Sequence, residues 1–510
     1  MLVAKCLVRR LVVFTLFAWI DGVGDGEWVM NKGNGIHLAE SSRGRFTSIG
    51  VAGTSVPGIG IDGRGATPLP VPWFAGTGWA AVLCAAYPAL AAAPMIAMHV
   101  LRPEAGHPVA AEFGINCALV GFMLLSMQFV LTARLSWIEA PFGLDLVLRF
   151  HRAMALVIVA LLCAHPLLLA SAESWTLLTR FKAHWPLWAG RIALGLLVVQ
   201  VAAALLRGAT RMSYERWRRA HNAIALSILG LGFAHAVRMG HGLHGRALVT
   251  AIALPPVLAL AALLYSRGIR PRLLARQAFR VHSVRPESPW VWTVTLDAPA
   301  GRSLRFRPGQ FQFVRFLDSA LPAEEHPFTI ASSPATPERI SLTIKACGNF
   351  TDLIDRIRPG DRATVQGPFG RFSHELHPGE GQLVFVAGGV GITPLMSMLR
   401  AMRDRHEARR VTLIYASRML DDVLFTPEMI AMESVGHPAL NVVHVLSEPP
   451  FWWTGEAGRI DARRIIEWCG GLDNKAFYLC CPPRMNAALV RGLRRRGVSP
   501  HRIHCDYFSL

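Results

Sequence analysis

The apolar positions of this chain fall into two regimes. Up to about residue 266 they gather into six long runs: Phe74–Val100, Val109–Leu131, Val147–Ala170, Leu187–Leu206, His221–Val237 and Ala247–Tyr265. Each is close to the ~20 residues a helix needs to cross a bilayer, so residues 72–266 are expected to form a six-helix transmembrane bundle. From about Arg272 the runs shorten and alternate. Val291-Trp-Thr-Val-Thr-Leu296 and Phe311-Gln-Phe-Val-Arg-Phe316 have the period of half-buried strands. Turn signals at Arg307-Pro-Gly309 and Arg358-Pro-Gly-Asp361 separate such strands. Residues 272–376 therefore read as a small antiparallel β-barrel. A third pattern opens with the apolar strand Gln382–Ala387, then a helical run Pro394–Arg405 and strands at Val411–Ala416, Leu440–Leu446 and Ala476–Cys480. Strands and helices in alternation predict an α/β domain with a parallel sheet over 381–510.

Residues 1–71 follow none of these patterns. Lys5, Arg9 and Arg10 precede the short apolar run Leu11–Ile20, as in a signal segment, but no small-residue cleavage site follows. The glycine-rich tract after it has little to build a core and is expected to be a disordered cytoplasmic extension.

Charge fixes the expected orientation of the bundle. Arg134 and Arg149 follow the second run; Arg207, Arg211, Arg216, Arg218 and Arg219 follow the fourth; Arg267, Arg270, Arg272 and Arg276 follow the sixth. Positive loops face the cytoplasm, which assigns the third and fifth spans the same direction. Those two spans share a histidine spacing: His151 and His165 are fourteen positions apart, and so are His221 and His235. Fourteen helical steps return to within about 40° of the same face and advance about 21 Å. Two such helices packed side by side predict a pair, His151 with His221, near one membrane surface, and a second pair, His165 with His235, near the other. A lone histidine in an apolar helix is usually a satisfied polar residue; two equal spacings in two spans suit a pair of b-type haems, each with imidazole on both axial positions. Arg152, Arg218 and Arg219 stand beside the first pair, as propionate partners or as membrane anchors. His99, His107, His184, His241 and His244 lack such pairing.

Composition agrees with a chain that is part membrane and part soluble. Of 510 residues, 52% are hydrophobic, and the net charge of +19 is concentrated beside the spans, which removes nucleic acid as the expected partner. The nine cysteines show no zinc, iron–sulfur or disulfide spacing, and Cys84, Cys117 and Cys163 lie in spans as small packers.

Three stretches of the soluble half carry chemistry. His326-Pro-Phe-Thr-Ile-Ala-Ser-Ser333 is an extended segment whose Thr329 hydroxyl can approach a flat ring. Gly348-Asn-Phe-Thr351 precedes a helical run, Asp352–Ile357, whose free N–H groups suit a pyrophosphate. Gly388-Gly-Val-Gly-Ile-Thr-Pro394 lies between strand and helix, where glycines admit a dinucleotide. Singly each is a weak signal; their order and spacing are specific.

With these motifs in this order, the soluble half resembles the ferredoxin–NADP reductase-type flavoprotein module. Together with the histidine-paired spans, residues 72–510 resemble the ferric reductase and NADPH oxidase superfamily. The resemblance implies that His326, Pro327, Phe328 and Thr329 form the flavin strand of an FAD-binding barrel, with Thr329 near the isoalloxazine. Gly348 and Thr351 match the FAD-phosphate turn, and Gly388, Gly389, Gly391, Thr393 and Pro394 match the nicotinamide-nucleotide loop. Cys480 matches the cysteine near the hydride path, and Phe508 the aromatic that covers the flavin until nicotinamide displaces it. Cys481 departs from the family's glycine, and two residues follow Phe508, leaving Tyr507 as a rival stacker. Ser417 and Arg418, at the end of a strand, lie where the adenine ribose is expected; Arg418 can pair with a 2′-phosphate, which leans the expectation to NADPH over NADH.

The expectation that follows is an integral membrane oxidoreductase, in a bacterial inner membrane with its flavin and nucleotide domains cytoplasmic. Electrons would pass from NAD(P)H through FAD and two haems to a ferric chelate or dioxygen at the outer face. A partner redox protein as the acceptor is the alternative.

Overall fold

The computed structural model describes residues 76–101, 108–179, 184–207, 212–239 and 246–506. The expectations for residues 1–71, His107, Arg211, His241, His244, Tyr507 and Phe508 lie outside the described residues. Among the described residues, six helices are long and apolar enough to cross a membrane: α1 (Thr77–Leu101), α2 (Val109–Leu131), α4 (Leu144–Ala172), α5 (Trp185–Leu205), α6 (Tyr214–Met239) and α7 (Arg246–Leu264). Between the second and third lies a short helix, α3 (Ser136–Phe142), ended by Gly143, whose φ of +84° lets the chain reverse.

Two features of the bundle differ from expectation. The arginines assigned to a loop after the sixth span sit on a helix instead, because α7 continues through a π-turn (Tyr265–Ile269) into α8 (Arg270–Arg276). Arginine is a good helix former, and Arg270 is held there by donating to the Ala133 carbonyl at 2.6 Å. The two histidine-bearing helices face each other, but with their backbones further apart than close neighbours. α4 packs along α2 and α6 along α5, while the backbones of α4 and α6 stay apart. The side chains of Ile158, Ile228 and Leu229 bridge them at mid-depth, in one buried cluster with Phe122 and Met123.

The soluble half forms two six-stranded sheets. The first has the order β4-β3-β6-β1-β2-β5 with antiparallel pairing throughout. Its strands are β1 (Phe279–Ser288), β2 (Val291–Asp297), β3 (Phe311–Phe316), β4 (His326–Thr329), β5 (Arg339–Lys345) and β6 (Arg362–Phe369). Just past β4, the Ala331 N–H donates to the Ser341 carbonyl in β5 at 2.8 Å, joining the two ends of the sheet into a barrel. Inward residues such as Val294, Leu296, Phe316 and Leu342 fill it.

The second sheet has the order β10-β9-β8-β7-β11-β12 and is parallel. It comprises β7 (Gln382–Gly388), β8 (Arg410–Ser417), β9 (Ala439–Leu446), β10 (Glu456–Ala457), β11 (Lys475–Cys480) and β12 (Ile503–Asp506). Four helices cover it: α9 (Ile392–Asp404), α10 (Thr426–Val435), α11 (Ala462–Trp468) and α12 (Pro483–Arg495). Alternate residues of β7 serve its two faces. Leu383, Phe385 and Ala387 meet α9 and α10, while Val384 and Val386 meet α11 and α12. A strand buried on both sides is continuously apolar for that reason.

Candidate functional site

The two histidine pairs are held differently. In the pair distant from the soluble half, His165 Nδ1 lies 3.0 Å from the Gly114 carbonyl and His235 Nδ1 lies 2.8 Å from the Pro186 carbonyl. Each carbonyl can only accept, so each Nδ1 carries the proton and each Nε2 keeps its lone pair for a metal. The ring centres are 6.3 Å apart. Two metal–nitrogen bonds of about 2.0–2.1 Å and ~1.1 Å from each nitrogen to its ring centre give very nearly that span. A Cβ at Gly190 would come within 2.6 Å of His235 Nδ1, so only glycine leaves room for the ring. The residues present fit an iron held between two imidazoles.

The pair nearer the soluble half lacks such anchors. His221 stacks on Trp217 with ring centres 5.0 Å apart, and Trp217 in turn on Tyr214 at 6.1 Å. His151 Nδ1 is buried with no hydrogen-bond partner among the described residues. Midway between the two levels, seven residues from a histidine in each direction, Ile158 and Ile228 are both buried. Arg152 is exposed, and Arg218 is paired with Glu215 at 2.8 Å.

The soluble half is fastened to the bundle around α3. Arg134 reaches Glu325 at 2.7 Å and lies 3.5 Å over the Phe313 ring. Arg371 donates to the Ala140 carbonyl at 2.9 Å, and the Gly370 N–H donates to Glu139 Oε1 at 3.2 Å. Burial pushes the Glu139 carboxyl up to about 7. Leu144, at the start of α4, packs with Phe313 and Phe369 of the barrel. The barrel thus abuts the helix that carries His151. Only Arg134 of these residues had a signal in the sequence, and it read as a loop charge.

Between α4, the barrel and β12 is a cavity of about 370 Å³, lined among others by Asp145, Pro327, Thr329, Gly370, His504 and Asp506. Thr329 Oγ1 is buried there with no hydrogen-bond partner among the described residues, so its hydroxyl is available to a ring system. His326 and Phe328 turn to Phe350, with ring centres 3.9 and 6.4 Å away. The helix expected after Gly348 is a 3₁₀ turn, Thr351–Arg356. Asp352 accepts from the Gly348 N–H at 3.2 Å and Thr351 Oγ1 from the Cys347 N–H at 2.9 Å. These side chains satisfy the turn's own donors, which shortens the helix.

The glycine turn Gly388–Pro394 is built by close approach. A Cβ at Gly391 would collide with the Cys480 carbonyl, and one at Gly388 would come within 2.7 Å of Pro482. The loop of β7 therefore nests against the end of β11. Gly389 has φ +55° and open space around it. Thr393 and Pro394 are buried at the start of α9, and Thr393 donates to the Val390 carbonyl at 3.0 Å. Cys480 is fully buried, and burial holds its thiol protonated. Cys481 points its Sγ to the Val386 carbonyl at 3.5 Å, on the sheet face opposite Cys480. Ser417 is buried at the end of β8, while Arg418 is exposed and paired with Glu448 at 3.0 Å.

A membrane-spanning helix bundle joined to an FAD-type barrel and a nucleotide-binding parallel sheet defines an integral-membrane oxidoreductase. Three family models match in succession: a ferric reductase like transmembrane component over residues 117–232, an FAD-binding domain over 278–359 and an oxidoreductase NAD-binding domain over 385–491. The chain belongs to the ferric reductase and NADPH oxidase superfamily, in which these parts are fused. Sulfhydrogenase 1 subunit gamma of Pyrococcus furiosus is 32% identical over 211 residues, covering 41% of this chain and 70% of that protein. The stachydrine N-demethylase reductase subunit Stc4 of Rhizobium meliloti is 29% identical over 235 residues, 44% of this chain and 64% of that protein. Among solved structures, an Amycolatopsis cytochrome P450 reductase is 26% identical with a TM-score of 0.41, covering 46% of this chain and 69% of that one.

Proposed function

We propose that the chain passes electrons from cytoplasmic NAD(P)H across a bacterial inner membrane to a ferric chelate or dioxygen at the outer face. The observation that carries this reading is the His165–His235 pair, with both Nδ1 atoms committed to carbonyls and ring centres 6.3 Å apart. His151 and His221 would hold one haem, and His165 and His235 the other. The strand His326–Thr329 would hold the FAD ring, with Gly348 and Thr351 at its phosphates. The loop Gly388–Pro394 would take the nicotinamide nucleotide, with Ser417 and Arg418 at the adenine ribose and Phe508 covering the flavin. When bound, FAD supplies the conversion from a two-electron hydride donor to one-electron haem carriers.

The chain's own residues set up that sequence. The Thr329 hydroxyl orients the ring, and the neutral Cys480 thiol at the floor of the nucleotide loop keeps negative charge away from an arriving hydride. Arg134, Glu139 and Arg371 hold the barrel against the bundle. Ile158 and Ile228 exclude water between the two histidine levels. With His165 and His235 both committed to it, a haem at the outer level would supply electron transfer outward and leave no site for a ligand, which suits either acceptor.

The names of the two relatives, both subunits, favour a second reading in which the acceptor is a partner redox protein. That reading predicts slow turnover of the purified chain and recovery on adding membrane extract.

The test is a visible spectrum of anaerobic membranes before and after NADPH. Reduced b-type bands at about two haems per chain are expected, reoxidised by air or by a ferric chelate. A spectrum without haem would sink the proposal.

A further inference from the structure

Apart from the haem and nucleotide positions, the soluble half gathers a second set of metal-ligating side chains. His377, Glu380 and His504 each offer a ligand atom, and these atoms all lie within 4.8 Å of one another. They come from two places: His377 and Glu380 close one turn of the loop before β7, with the Glu380 N–H donating to the His377 carbonyl at 3.2 Å, and His504 lies on strand β12. We propose that these three residues form a binding site for a divalent transition-metal ion of borderline softness, zinc being the best fit, at the mouth of the flavin cavity.

The argument starts from the sheet. The parallel register of β11 and β12 sets Tyr478 beside His504. The Tyr478 hydroxyl donates to Glu380 Oε2 at 2.6 Å, while His504 Nε2 meets Glu380 Oε1 at 2.6 Å. One carboxylate is thus pinned from both sides, with Tyr478 as the outer partner that orients a ligating carboxylate. His377 stacks on the His504 ring with centres 4.1 Å apart. Glu380 and His504 are only 14% and 15% exposed; burial works to raise the Glu380 carboxyl, but the hydrogen bonds of His504 and Tyr478 outweigh it and hold it below its ordinary range.

Two imidazoles and a carboxylate are a donor set for zinc and its neighbours rather than for magnesium or calcium. Tetrahedral bonds of about 2.0–2.2 Å set neighbouring ligand atoms roughly 3.3–3.6 Å apart. The widest separation must close by roughly an ångström and the His504–Glu380 contact must open by somewhat less, both within side-chain rotation. The ion takes the place of the direct His504 Nε2–Glu380 Oε1 contact, each atom turning its lone pair to the metal instead. The fourth position faces the cavity, because His377 and His504 line it together with Thr329. Resting on the flavin reading for this consequence alone, an ion and its water there obstruct the approach of nicotinamide and slow reduction of the flavin.

Zinc sulfate, titrated into the FAD-loaded full-length protein in detergent against a chromophoric chelator, tests the site. Wild type is expected to take up one more zinc per chain than His377→Gln or His504→Ala, with affinity at that site falling at least about 10–100-fold in either variant. Tyr478→Phe, which keeps the packing, should weaken it by a smaller factor and guards against a variant that fails to fold. Equal zinc uptake in wild type and all three variants overturns the site. A flavin reduced by NADPH at the same rate with and without saturating zinc overturns the obstruction, while the binding result stands independently of the flavin.

Discussion

The two histidine pairs have the same spacing in the chain and different surroundings in the fold. His165 and His235 are pre-oriented by carbonyls of α2 and α5, and Gly190 clears the space under His235. His151 has an orphaned Nδ1 and His221 leans on Trp217. The far pair is therefore a finished cradle, while the pair beside the barrel is softer and lies closest to the docking contacts of Glu139 and Leu144. A ligand fixed by its outer hydrogen bond resists disturbance at its own site; a ligand held by stacking responds to its neighbours.

The largest effect should come from the four proposed haem ligands. His165→Ala or His235→Ala should reduce haem from about two to about one per chain, measured by pyridine haemochrome, and His151→Ala or His221→Ala should do the same at the other level. Two haems retained after any of these would remove that residue from the ligand set.

Next is the docking carboxyl, which lies on the side of the softer pair. Glu139 titrates near 7 in the docked state, against its ordinary 4.5 when freed. Its contribution to docking is whole below about 4.5 and is lost as pH rises to about 7, amounting to about 3 kcal/mol at most. Limited proteolysis between the bundle and the barrel should accelerate over that range, and Glu139→Gln should flatten the profile.

Gly190→Ala tests the finished cradle. The added methyl should cost about 1–3 kcal/mol in overpacking and disturb the far haem's spectrum while the near one is unchanged. A redox titration that moved both equally would break the distinction drawn between the pairs. Smallest is Trp217→Leu, which removes the stacking partner of His221. It should shift only the nearer haem, by roughly 20–60 mV.

Much of this was legible along the chain. Hydropathy found the six spans because a lipid-facing helix must be apolar throughout, and alternation found β2 and β3 because one face of each is buried. The strand and the glycine turn proposed for flavin and nucleotide were visible in His326–Thr329 and Gly388–Pro394, whose residue types follow from local backbone demands. Legibility failed where charge was read as loop. Arg267 to Arg276 lie on helical turns, and their partner carbonyl at Ala133 is 137 residues from Arg270. It failed again for α4 and α6, whose facing side chains keep their backbones apart.

The sequence alone determined the order of the three parts and, through a spacing of fourteen, which four imidazoles share two levels, because helical periodicity is a local property. Only the tertiary structure decided which carbonyl each imidazole leans on, why Gly190 and Gly391 can have no side chain, and that His377, Glu380 and His504 meet. Those are contacts between segments far apart in the chain, and no local pattern of residues encodes the distance across which they close.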